Sequence, residues 1–180
     1  ITTGFINIQG APLEGENPLP MFRARSHDSH PVGNGTLKPE ELEGFGIDTG
    51  FRVLPYRIQD RYSRDKRSME MACVTMENEF LKAEFLPEYG GRLWSLYDKK
   101  NSRELLFRNP VMQPANLAVR NAWFSGGIEW NVAQYGHTFT TCDKVFFAKV
   151  VAEEGYEFLR MYEYERTKGL LWQIDLLQKP

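Results

Sequence analysis

Leu81-Lys-Ala-Glu-Phe-Leu-Pro-Glu-Tyr-Gly-Gly-Arg-Leu-Trp-Ser-Leu-Tyr97 is the stretch on which the reading of this chain turns. Leu81, Ala83 and Phe85 alternate with Lys82 and Glu84, the period of two expected of a strand with one apolar face. Pro87 to Gly91 carries the residues of a reversal, and Arg92–Tyr97 then reads as a returning strand. Outward from this pair the pattern repeats. Asp98-Lys-Lys-Asn-Ser102 is a turn and Arg103–Phe107 a third strand, while strand character begins upstream at Met71. Val145–Ala152 is apolar on both faces apart from Lys149, as expected of a strand between two sheets. Glu153-Glu-Gly155 forms a hairpin into Tyr156–Tyr164, and Thr167-Lys-Gly169 turns again. Leu170, Trp172, Ile174 and Leu176 line one face of a last strand. Long helical periodicity is absent, so the expected class is all-β, an antiparallel β-sandwich.

Residues 1–68 read differently. Pro12, Pro18, Pro20, Pro31, Pro39 and Pro55, among many glycines, break the stretch into short pieces. Lys38–Glu43 suits a helical turn after Thr36, and Asp60–Arg67 is a charged connector of the solvated kind. The expected organisation is an extended N-terminal arm and connector over 1–68, then a β-sandwich domain over 69–180. That domain reads as incomplete at its C-terminal end, because the last strand presents four large apolar residues and wants a neighbour. The remaining half of the β domain, or another chain, is expected to cover it.

Aromatic residues make up 13% of the 180 positions and hydrophobic residues 42%, enough to build a packed core and too much for a disordered chain. With 22 basic against 24 acidic residues there is no basic stripe to neutralise phosphates, and nucleic acid is not an expected partner. No apolar run reaches the ~20 residues needed to cross a bilayer, so no membrane association is expected. The opening Ile-Thr-Thr-Gly has neither basic n-region nor apolar h-region; the compartment stays open, with a lean toward the cytoplasm. Cys73 and Cys142 both sit among apolar or β-forming neighbours and read as buried free thiols. His27-Asp-Ser-His30 lacks a third spaced ligand, so neither a metal nor another cofactor is expected.

Chemistry is concentrated in Trp123-Phe-Ser-Gly-Gly-Ile-Glu-Trp-Asn131, where Glu129 stands between two tryptophans beside a Gly-Gly pair and an amide. Flat aromatic faces cover the C–H patches of sugars, and carboxylates and amides take their hydroxyls. Trp123 and Trp130 are candidate stacking platforms and, equally, candidate core residues; Glu129 is a candidate acid or base and, equally, a satisfied structural acid. Asn131 is either a hydroxyl ligand or a loop cap. Arg92, after Gly90-Gly91, can fork onto two hydroxyls or pair with Glu129. His137 lies six residues past Asn131 and is the second candidate catalytic group. Arg120 and Asn121 are candidate rim contacts.

Three blocks together resemble the domain of unknown function 5107: Glu77 to Leu93, Arg108-Asn-Pro-Val-Met-Gln-Pro114, and Trp123 to Asn131, with Tyr164-Glu-Arg-Thr-Lys-Gly169 a weaker fourth. The resemblance covers roughly residues 17–180, and Asn17-Pro-Leu-Pro-Met-Phe22 fits the family's N-terminal arm. It implies a galactose mutarotase-like supersandwich of which this chain holds the N-terminal half, in a domain that often precedes tetratricopeptide repeats in larger bacterial proteins. Through aldose 1-epimerases and glycoside-hydrolase accessory domains, that kinship implies a sugar ligand on the concave sheet face. The reaction class is left open between epimerase-like and glycosidase-like chemistry, with a non-catalytic recognition or assembly module as the alternative. The family segment commonly carries tandem histidines, where this chain has Tyr135-Gly136 before its single His137.

Overall fold

The computed structural model describes residues 1–24, 38–42, 51–132 and 137–178. In chain order its strands are β1 (Thr2–Gly10), β2 (Pro20–Ala24), β3 (Phe51–Arg57), β4 (Arg67–Glu77), β5 (Leu81–Leu86), β6 (Arg92–Asp98), β7 (Arg103–Glu104), β8 (Val111–Met112), β9 (Ala115–Ala118), β10 (Asn121–Trp123), β11 (Phe146–Val151), β12 (Glu157–Glu165) and β13 (Leu170–Leu176). One helical turn, α1 (Pro39–Leu42), falls where the sequence suggests it. The class is therefore all-β, as expected.

The largest sheet has six strands in the order β7-β6-β5-β4-β1-β8. Neighbours are antiparallel except β1 and β8, which pair in parallel through Gln9–Val111 and Gly10–Met112. A three-stranded sheet, β11-β12-β13, and the two-stranded pairs β9–β10 and β2–β3 complete the described set. The stretch expected to be only an arm thus supplies β1 to the main sheet, paired with β4 over nine residues from Thr2–Thr75 to Gly10–Arg67.

Both faces of the main sheet are covered. On one face Ile8, Met69, Met71, Leu86 and Trp94 pack with Met112, Ala122, Phe124 and Cys142. On the other, Val74, Met76, Ala83, Phe85 and Leu93 pack against Leu159 and Met161 of β12. Successive residues of β4, β5 and β6 go to opposite clusters, as the pleat requires. This corrects the reading of β5 as half-buried: Glu84 is buried and holds Lys82 Nζ at 2.7 Å. The third strand is also shorter than expected. Beyond Glu104 one backbone bond remains, from Leu105 N–H to the Leu96 carbonyl at 2.9 Å, while the Glu104 carboxylate takes the N–H groups of Leu96 and Leu106, at 2.8 and 3.3 Å.

The expectation for Val145–Ala152 is corrected too. Val145 is buried, but Phe146 and Val151 on β11 are 56% and 62% exposed. β11 is an edge of the small sheet rather than a strand sandwiched between two others. Both hairpin turns of that sheet fall where expected, with Gly155 and Gly169 at positive φ.

The segment carrying Glu129 is clipped to β6 by a short antiparallel bridge. Leu93 N–H donates to the Ile128 carbonyl at 3.1 Å, and Ile128 N–H returns the bond at 2.9 Å. Gly127 makes this approach possible: its φ is +69°, and a Cβ there would lie 2.4 Å from the Leu93 carbonyl oxygen. We expect Gly127→Ala to cost about 2–4 kcal/mol, since both left-handed strain and a backbone clash are imposed. Urea unfolding would measure it, and a change below about 0.5 kcal/mol would contradict this account of the bridge.

Candidate functional site

The carboxylate of Glu129 is the meeting point of four side chains from three parts of the chain. Oε2 accepts the indole N–H of Trp123 at 2.8 Å and Nη2 of Arg92 at 3.3 Å. His137 Nδ1 lies 3.0 Å from each carboxylate oxygen. Thr141 Oγ1 lies 2.8 Å from Oε1 and 2.9 Å from the Thr138 carbonyl, so its single hydrogen serves one of the two at a time. β10 brings Trp123, the head of β6 brings Arg92, and the turn that precedes β11 brings His137 and Thr141.

Burial sorts these groups into roles. The Arg92 side chain is 2% exposed and Glu129 13%, whereas His137 is 37% exposed. Burial pushes the Arg92 pKa down while the Glu129 charge opposes it; the guanidinium remains the cation of the pair. Its Nη1 donates to the Phe124 and Gly126 carbonyls at 3.0 and 2.8 Å, and its centre lies 4.0 Å from the Phe124 ring centroid. An ionised carboxylate only accepts, so His137 Nδ1 carries the hydrogen toward Glu129. Its Nε2 edge is left without a hydrogen-bond partner among the described residues. The His137 and Trp123 rings are tilted at 45° with centroids 5.4 Å apart.

The sequence candidates therefore divide. Glu129, Arg92, His137 and Trp123 come together at one carboxylate. Trp130 turns away: its indole N–H donates to the Gly91 carbonyl at 2.8 Å, and its ring packs on the Val74–Leu93 cluster. Asn131 is taken up by the backbone, its Oδ1 accepting the Thr138 N–H at 3.1 Å. Arg120 is not a rim residue but 3% exposed, bonded to the Arg57 and Phe139 carbonyls and paired with Glu16 and Asp143. Two buried arginines thus grip one turn. Arg92 reaches His137 and Thr141 through Glu129, and Arg120 reaches Phe139 and Asp143 directly.

Thr141 and Phe124 escape sequence reasoning, since neither residue type announces a site. Cys142, beside them, is buried, and that burial pushes its thiol up to about 12, with Arg92 opposing and Glu129 reinforcing the shift. The His27–His30 stretch lies outside the described residues. Among the described residues no group of three His, Cys, Asp or Glu side chains is arranged to hold a metal. No helix among them is long and apolar enough to cross a membrane.

The family model described as Domain of unknown function (DUF5107) matches residues 49–179. The chain belongs to the DUF5107 family. The match contains β3 to β13, and with them the whole Glu129 centre. The DUF5107 fold here is similar to part of a solved structure, a TPR-domain containing protein from Parabacteroides distasonis ATCC 8503, with a TM-score of 0.61 and 20% identity. That alignment covers 91% of this chain and 24% of the other, and at this identity it speaks to fold alone.

Proposed function

We propose that this DUF5107 domain binds carbohydrate at the face where Trp123 and His137 meet, within a galactose mutarotase-like fold. The observation that carries this reading is the saturation of Glu129. With Trp123, Arg92, His137 and Thr141 all turned onto it, its carboxylate holds an imidazole rather than offering itself to a ligand. The half-buried indole of Trp123 supplies an apolar platform for a pyranose face. His137 Nε2 beside it supplies a proton donor or acceptor for a ring oxygen or anomeric hydroxyl. In this role Glu129 fixes the tautomer and orientation of His137, Arg92 fixes Glu129, and His137 is the group that meets the sugar. The kinship with aldose epimerases that the sequence resemblance implies is in keeping with the same ligand class.

The alternative, a recognition or assembly module without chemistry, is favoured by the small sheet. Leu171 on β13 is 72% exposed, and Tyr164 of β12 and Phe146 of β11 are exposed on the same face of the sheet. Further β structure or another chain laid over that face would bury them.

The test is calorimetric titration of the domain with a panel of mono- and oligosaccharides, together with polarimetric assay of mutarotation. At least one saccharide is expected to bind, with Trp123→Ala and His137→Ala each weakening it about tenfold and Trp130→Phe changing it less than about twofold. Turnover lost in His137→Ala identifies an epimerase-like enzyme; binding without turnover in the parent identifies a module. Failure of every saccharide to bind, or indifference to Trp123→Ala, overturns the reading.

A further inference from the structure

A polar cavity of about 610 Å³ shares no lining residue with the Glu129 centre and is bounded by Glu16, Tyr56, Arg57, Arg120, Asp143 and Arg166 among others. Its size is that of a small-molecule site. Three guanidiniums face two carboxylates there, so one positive charge is in excess.

Glu16 already shows how the cavity treats an oxyanion. One of its carboxylate oxygens lies 3.0 Å from Nη2 of the buried Arg120, and the other 3.4 Å from Nη1 of Arg57. Glu16 follows Gly15 on the irregular stretch between β1 and β2, with nearly half its side chain exposed. It is therefore a carboxylate on a surface loop, seated between two arginines and open to replacement. The remaining guanidiniums are weakly engaged. The 3.4 Å contact to Glu16 is the side-chain bond described for Arg57, and Arg166 donates to the Pro55 carbonyl, also at 3.4 Å. Both are exposed, and Arg166 has no ion-pair partner among the described residues. The Arg120 and Arg166 guanidiniums lie 5.4 and 5.3 Å from the centroid of the Tyr56 ring, which braces them at the cavity wall.

We propose that this cavity is an oxyanion-binding site, taking a small molecule through a carboxylate or phosphate held between Arg57 and Arg166, with Glu16 as its intramolecular competitor. Planar guanidiniums match both oxyanions through paired N–H donors, and weakly held ones lose little by turning to a ligand. The inference does not depend on the carbohydrate reading of the Glu129 face, and each can fail without the other.

The test is NMR titration of the ¹⁵N-labelled domain with sodium phosphate and, separately, sodium glucuronate at constant ionic strength, with glucose and sodium chloride as controls. The arginine Nε–Hε signals are the readout. Saturable shifts at Arg57 and Arg166 are expected with one or both oxyanions and with neither control; the one that binds tells phosphate from carboxylate. Arg166→Gln should weaken binding about fivefold, and Glu16→Gln should tighten it by a similar factor because the competitor is gone. Arg166 makes no strong structural bond, so its variant tests the site even if Glu16→Gln disturbs the fold. No saturable shift with either oxyanion, equal shifts with glucose, or an affinity unmoved by Arg166→Gln would overturn the proposal.

Discussion

Arg92→Leu is expected to remove about 3–5 kcal/mol of stability, among the largest single-residue effects in the molecule. The substitution does more than delete a cation. It strips two carbonyls, Phe124 and Gly126, of their donor, and it leaves the Glu129 carboxylate at 13% exposure without its compensating charge. Arg92→Lys should recover only part of the loss, because one ammonium on a flexible stem cannot span the two carbonyls and the carboxylate in one plane. Glu129→Gln should cost less, about 1–3 kcal/mol, since an amide still accepts from Trp123 while its NH₂ faces donors. Urea denaturation of the two single variants and the double variant gives the coupling. We expect Arg92→Leu and Glu129→Gln to be non-additive by at least about 1 kcal/mol, and additivity would mean that the pair does not act as a unit.

Glu165→Ala comes next, at about 3 kcal/mol. Glu165 closes β12 and is almost fully buried. Its Oε1 accepts from Tyr56 Oη at 3.1 Å, Thr167 N–H at 2.8 Å and Thr167 Oγ1 at 2.5 Å, and its Oε2 from Lys168 N–H at 2.7 Å. One side chain thereby ties β3 to β12 and organises the turn into β13. Burial acts to raise the Glu165 pKa, but the bonds from Thr167, Lys168 and Tyr56 together outweigh it and hold the carboxyl below its ordinary value. The same balance, burial opposed by Ser95, Leu96 and Leu106, lowers that of Glu104. A carboxyl depressed in the folded state binds its proton more readily when unfolded. Its stabilisation is complete above the unfolded value of about 4.3 and is lost as pH falls through the lower folded value. Thermal unfolding followed from pH 7 to pH 3 should therefore show the parent losing stability below about pH 4.5, and Glu165→Gln losing less over the same interval. Parallel curves would contradict the assignment.

How much of this was visible in the sequence depends on how local the cause is. The Leu81–Tyr97 hairpin and the Gly155 and Gly169 turns were legible because period-two alternation and glycine turns act within a few residues. The alternation in β5 misled at Glu84 because it reports one covered face, whereas β11–β13 and the β8–β10 region cover both. β1 went unnoticed for a related reason: Ile6 and Ile8 alternate correctly, but the strand finds its partner in β4, some sixty residues on. At the site, the Trp123–Asn131 run was legible as a cluster of chemistry-bearing types. Which of its members point inward was not. Trp123 and Trp130 have equal claims on paper and are separated only by whether the Glu129 carboxylate or the Gly91 carbonyl receives the indole N–H. Arg120 reads as a rim residue and Thr141 as no candidate at all, because what matters at both is burial, which a residue type does not reveal.

The account turns on whether Glu129 holds His137 for a ligand. The most direct measurement is the ¹⁵N spectrum of the His137 ring, with and without saccharide. Hydrogen on Nδ1, with an open Nε2 whose resonance moves on addition of the bound sugar, is the predicted result. Its counterpart is loss of that tautomer preference in Glu129→Gln. A ring protonated at Nε2 in the neutral state, or one whose signals no saccharide perturbs, would contradict the claim.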